Sequence, residues 1–253
     1  MATMSIGKAW EETVAFVARE ASLLFPVVLL FVALPLMLLQ EMTPAKLVQW
    51  SSTMKGPMPP VPSSYWFSFF LTLILTWFGA LTLFALALRP GISVAEALKL
   101  ASHRLPVLLG AALLAGATLF VAILLLSVPL ILLAGFGGAV IAVVVLGLLA
   151  LARLAFLTPL LIDDRLGAIA SIKRAWLLTR GSFWRLVGFF AIMLIIYTVA
   201  GAAAQTAFGI IGGLVAGSDG VRLLGGIAAA SVSAVVVLYL LVMLARLYRQ
   251  AVG

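Results

Sequence analysis

The chain has 253 residues, of which 65% are hydrophobic and 9% charged. A soluble domain carries about 25% charged residues, so this composition excludes a soluble globular protein and a disordered one. There is no cysteine and one histidine, His103, which excludes disulfides, cysteine nucleophiles and a thiolate or histidine metal cluster.

Residues 5–19 place Ile6, Trp10, Val14 and Val17 at helical spacing, with Lys8, Glu11, Glu12 and Arg19 elsewhere, as in an amphipathic surface helix. Glu11 and Glu12 fall where a cleavable leader would be apolar, so none is expected. A first span covers residues 21–39, and Pro26 and Pro35 predict a kink in it. Residues 40–64 read as a long loop containing Pro44, Pro57, Pro59, Pro60 and Pro62. The second span, residues 65–88, opens with Tyr65 and Trp66 as interfacial anchors.

Residues 93–104 form a second amphipathic segment, with Val94, Ala97, Leu98 and Ala101 on one face, and Ser93 and Glu96 have capping-box spacing. Residues 105–162 hold two spans, with a break at the glycine-rich residues 135–138 and one charge inside, Arg153. Residues 166–180 form a third amphipathic segment. Ile169, Ile172, Trp176 and Leu177 share its apolar face, with Ser171, Lys173, Arg174 and Arg180 on the polar side. The last spans are residues 186–208 and 223–247, with an external connection containing Gly209, Gly212, Gly213, Gly217 and Asp219. The amphipathic segments either lie on the membrane surface or only cover the ends of the spans.

The expected fold is all-α: a polytopic membrane protein of six transmembrane helices, arranged as three hairpins with cytoplasmic amphipathic surface helices. It forms one integral membrane domain over residues 1–253, with candidate repeats at 5–88, 89–162 and 163–248. Their entry points Pro26, Pro106 and Leu186 are spaced by 80 residues. Even span number puts both termini on one side. That side holds Lys8, Arg19, Arg89, Lys99, Arg104, Arg165, Lys173, Arg174, Arg180, Arg185, Arg246 and Arg249. The other holds Lys46, Lys55 and Arg222. This bias places the termini in the cytoplasm and accounts for the net charge of +8 without nucleic acid.

The eight Asp and Glu include the adjacent pair Asp163 and Asp164 at the end of the fourth span. A pair that caps a helix and offsets Arg165 explains them better than a divalent-ion or phosphate-transfer site. No nucleophile elbow, phosphate loop or zinc-protease motif occurs. No catalytic residue, metal or cofactor is expected.

Two features point to binding. Arg153 lies inside a span, where a charge costs several kcal/mol, about 3 on insertion scales, unless it is paired or reaches water. Glu20, Asp163, Asp164, a carbonyl opened by Pro159 and a lipid phosphate are its candidate partners. The run from Lys173 to Arg185 interleaves Lys173, Arg174, Arg180 and Arg185 with Trp176 and Trp184. Aromatic rings favour the headgroup region and cations favour anionic lipid. The same run serves equally as a plain interfacial anchor.

These residues also carry a resemblance. The stretch with Arg153, Pro159, Asp163, Asp164 and Gly167, followed by Lys173, Arg174, Trp176, Thr179, Arg180, Gly181, Trp184 and Arg185, resembles bacterial six-span inner-membrane proteins. These are known as the membrane domain of glycerophosphoryl diester phosphodiesterase and related families. Ala175 stands where that pattern has serine. In multidomain relatives the hydrolase chemistry belongs to a separate soluble barrel, so the resemblance implies a membrane domain without that activity.

The functional expectation is a non-enzymatic inner-membrane scaffold or accessory protein. It binds anionic phospholipid through Arg153, Lys173, Arg174, Trp176, Arg180, Trp184 and Arg185. The alternatives are a transporter or lipid-translocating protein using Arg153 at a cytoplasm-facing cavity, and a subunit of a larger membrane complex or a homo-oligomer. Gly209, Gly213 and Gly217 offer the small-residue spacing of a pairing face.

Overall fold

The structure, a computed structural model, describes residues 5–53, 57–164 and 166–252, so Lys55 and Arg165 lie outside the described residues. Among those described, the chain is helical almost throughout and has no strand. Five helices are long and apolar enough to cross a membrane: Ala21–Met42, Ser63–Leu88, Val94–Leu132, Val140–Asp163 and Phe183–Val252.

Helix α1 (Ile6–Arg19) starts at Ser5, whose hydroxyl accepts the Lys8 N–H at 3.3 Å. The Ser5 N–H donates to Gln250 Oε1 at 2.8 Å and ties this start to the C-terminal end of the chain. Its buried face is Ala9, Thr13, Phe16 and Val17, whereas Ile6, Trp10 and Val14 are exposed. The expected apolar stripe is thus divided, with Val17 alone turned inward.

The disturbance expected from Pro26 and Pro35 is a single π-helical turn, Leu29–Ala33, between α2 (Ala21–Val28) and α3 (Leu34–Met42). The Leu34 N–H donates to the Leu29 carbonyl, five residues back. Helix α5 (Ser63–Leu88) crosses this turn closely: a Cβ on Gly79 would stand 2.5 Å from Phe31 Cβ. The Thr72 hydroxyl donates to the Pro35 carbonyl at 3.1 Å. Part of the expected 40–64 loop is instead helical, α4 (Ala45–Thr53), whose first turn satisfies the Pro44 carbonyl.

Helix α6 (Val94–Leu154) begins with the Ser93–Glu96 capping box and is interrupted at Gly135, where φ is +68°. That backbone suits glycine, and it lies within the expected break. The amphipathic segment 93–104 is not a separate surface helix. It runs unbroken through Pro106 into the third span. Proline removes one backbone donor there, and no helix-stopping residue precedes it.

The chain breaks again at Ala155 and Phe156, because Pro159 cannot donate to the Ala155 carbonyl. The short helix that follows, α7 (Leu157–Asp163), is a plug of core, with Leu160, Leu161 and Ile162 fully buried. Helix α8 (Ala168–Thr179) buries Ser171, Ala175 and Thr179, a stripe at four-residue spacing. Ser171 therefore faces the protein, not water as its place on the polar side implied. Ile169, Trp176 and Leu177 point outward.

Helix α9 (Phe183–Val252) is interrupted at Ala216 and Gly217, where Gly217 has φ +62°. The expected glycine-rich connection is thus mostly helical. Its glycines let the limbs before and after the break touch: a Cβ on Gly212 would lie 2.1 Å from the Gly220 carbonyl oxygen, and one on Gly225 2.9 Å from the Gln205 carbonyl oxygen. Arg222 and Glu41 pair at 3.3 Å near this end.

The core gathers at the opposite end, around α7, residues 81–87 and residues 238–248. Elsewhere large apolar side chains face outward, among them Leu125 (71% exposed), Leu132 (82%) and Leu214 (84%). Water does not tolerate so continuous an apolar exterior, so the protein is membrane-embedded.

Two measurements test this arrangement. Gly212→Ala is expected to destabilise the folded protein by about 1–3 kcal/mol, because a backbone oxygen occupies the methyl position. Gly116→Ala, with open space around it, is expected to be neutral or stabilising by up to about 1 kcal/mol. Thermal melts in detergent that rank the two equally contradict the close limb contact. For topology, the charge bias of the sequence predicts that a cysteine at the exposed Lys173 resists an impermeant reagent in intact cells and reacts after lysis. Labelling in intact cells reverses the orientation.

Candidate functional site

The break before Pro159 determines where Arg153 lies. The α6 limb ends at Leu154, and its last turn presents Arg153 to the C-terminal end of α8 and the start of α9. The Arg153 Cζ stands 4.6 Å from the Trp176 ring centroid and 4.1 Å from that of Phe183. Each ring face attracts the cation by about 0.5–2 kcal/mol, more as water is excluded. The Thr179 hydroxyl donates to the Arg153 carbonyl at 3.3 Å, one of the last carbonyls of the α6 limb.

Stacking does not satisfy the guanidinium N–H groups, which point outward in its plane. Nη1 of Arg153 is buried and has no hydrogen-bond partner. The carboxylates considered as partners are engaged elsewhere. Arg174 Nη1 lies 3.1 Å from Asp164 Oδ2, the Tyr248 hydroxyl donates to Asp163 Oδ2 at 3.0 Å, and Arg19 pairs with Glu20 at 3.0 Å. Among the described residues, Arg153 has no ion pair.

Arg153 lines two cavities of opposite character. One, about 470 Å³, is an apolar groove walled by Leu114, Leu119, Leu146 and Leu149 together with Trp176 and Phe183. The other, about 320 Å³, is formed by the turn between α8 and α9 and is lined by Arg180, Ser182, Trp184 and Arg185 as well as Arg153. Three guanidinium-bearing side chains share this wall with no carboxylate among its lining. The arrangement suits an amphiphile, with an apolar chain on one side of Arg153 and an anion on the other. Phosphate oxygens are the acceptors that a guanidinium fork matches best.

Of the residues expected from sequence, the structure brings together Arg153, Trp176, Arg180, Trp184 and Arg185. Lys173 is exposed on α8 outside both cavities, and Arg174 is directed to Asp164. Phe183 was not singled out, although its ring is the nearer face on Arg153. Its seven-residue distance from Trp176 is a same-face spacing, but the intervening turn at residues 180–182 hides it. No family model, curated protein or solved structure matches the chain.

Stability separates the guanidinium's two roles. In detergent without lipid, Arg153→Met should melt at or above the parent, since Met fits between the rings without a buried unpaired donor. Thr179→Val should cost about 1 kcal/mol through the lost carbonyl bond. A large drop for Arg153→Met would mean that the cation is held by protein alone.

Proposed function

We propose that this chain is a six-span bacterial inner-membrane protein that binds an anionic phospholipid at Arg153. It acts without enzymatic chemistry, as a scaffold or accessory protein in envelope or membrane-complex organisation. The phosphate sits in the turn cavity, and an acyl chain lies along the apolar groove. The observation that carries this reading is the buried, unpartnered Nη1 of Arg153 at the junction of the two cavities.

Membrane geometry supports it. Arg153 is eighteen residues from the Gly135 break, roughly 27 Å along a helix, which matches the thickness of the hydrocarbon core. With Gly135 at one boundary of the bilayer, the guanidinium stands at the phosphates of the opposite leaflet, shallower than its place inside the Val140–Asp163 stretch suggests. The limbs of α9 on either side of Gly217 are each long enough to cross, giving six spans as three hairpins. Both termini then share the basic, cytoplasmic side. The outward Ile169, Trp176 and Leu177 of α8 suit the same interface. Membership of the six-span families that the 153–185 stretch resembles belongs to the same proposal.

The leucine-walled groove favours lipid over a hydrated solute path, because a soluble substrate needs polar lining to replace its water. The pairing face offered by Gly209 and Gly213 is covered by Val221 of the same chain, which removes it as support for a subunit role.

Native mass spectrometry of the gently solubilised protein tests the binding. The parent should retain about one phosphatidylglycerol-class lipid per chain, and Arg153→Met should retain at least about tenfold less while keeping its helical content. Equal retention by the two proteins rejects the site. A co-purifying protein with no lipid would instead favour the complex-subunit reading.

A further inference from the structure

A second basic cavity lies at the end that holds both termini, separate from the Arg153 groove and independent of the lipid reading. It measures about 480 Å³. Arg19 from α1, Arg89 from the turn after α5, and Arg246 and Arg249 from the end of α9 all line it. Three distant stretches of sequence thus deliver four guanidinium groups to one space. Glu20 is the carboxylate of its wall, and it is engaged by Arg19 Nε at 3.0 Å.

Two of the groups are anchored to backbone carbonyls. Arg89 Nη2 donates to the Ile162 carbonyl at 2.9 Å, and Arg249 Nη2 donates to the Leu88 carbonyl. Each such bond uses one nitrogen of a five-donor fork. Arg246 stands 4.7 Å over the Phe16 ring, and Arg19 lies 5.8 Å from the same ring. The Nε of Arg246 is buried and has no hydrogen-bond partner. Against four guanidinium groups the wall sets one carboxylate, Glu20, and Glu12 acts on Arg246 from outside it, so the space keeps a positive balance that a bound anion offsets. Membrane topology requires basic residues near span ends. It does not require them to converge on a single cavity or to be anchored by carbonyls.

We infer that this cavity is a binding site for a phosphate-bearing anion, held by Arg246 and Arg249 with Arg19 and Arg89 supplying further positive charge. Leu23, Leu24 and Leu86 form an apolar part of the wall, so the phosphate can belong to a lipid headgroup or to a soluble phosphate compound.

The test uses the full chain in nanodiscs. In phosphatidylcholine discs, radiolabelled inorganic pyrophosphate is titrated by equilibrium dialysis. In discs that also contain phosphatidic acid, the acidic lipid retained after disc disassembly is counted by native mass spectrometry. One saturable site per chain in the first arm identifies a soluble phosphate. Phosphatidic acid retained in the second arm without pyrophosphate binding identifies a headgroup. In whichever arm binds, Arg246→Gln and Arg19→Gln should each weaken binding by about tenfold or more, while Lys99→Gln, an exposed cation outside the cavity, leaves it unchanged. Arg19 is exposed and outside the core, so its variant carries the comparison if Arg246→Gln fails to fold. No binding in either arm, or equal weakening by Lys99→Gln, overturns the proposal.

Discussion

In hydrocarbon a backbone amide must find its partner within its own helix, and this chain is organised by the few places where it cannot. Pro26 and Pro35 flank a π turn, Gly135 and Gly217 reverse the two longest helices, and Pro159 ends a helix at Leu154. The last of these has the largest consequences. It sets off α7, which is sunk in the core, and leaves Arg153 in the last turn before the break, against Trp176 of α8.

The two arginine sites follow one pattern. In each, an aromatic face takes a guanidinium that makes no salt bridge among the described residues: Trp176 and Phe183 for Arg153, and Phe16 for Arg246. Rings stabilise the charge without occupying its in-plane donors, which stay available to an oxygen-rich ligand. Both sites lie toward the end where the core is densest, so rigid elements position them. The opposite half is thinly packed and relies on the bilayer to cover it.

Much of this was legible in the sequence, because span length, glycine breaks and proline interruptions are local signals. The Ser63–Leu88 span, the Gly135 break and the capping box at Ser93 correspond closely. What sequence missed is tertiary. Continuity through Pro106 depends on a single lost bond, and the buried Ser171 stripe depends on which face of α8 meets α6. The small residues of 209–222 read as a loop until a second helix is laid against them. Arg153 and the basic run's Trp176 and Arg180 could be grouped by chemistry. The departure of Arg174 to Asp164 could not, nor could the gathering of Arg19, Arg89, Arg246 and Arg249 from three parts of the chain.

The central claim is that the unpaired guanidinium of Arg153 is completed by lipid. The most direct measurement is an electron cryo-microscopy map of the protein in nanodiscs of phosphatidylglycerol and phosphatidylethanolamine, at a resolution that shows lipid headgroups. The account predicts a phosphate within hydrogen-bond distance of Arg153 Nη1 and an acyl chain along the groove past Leu114 and Leu149. An empty groove, or Nη1 bonded to a carboxylate or carbonyl of the chain itself, would contradict it.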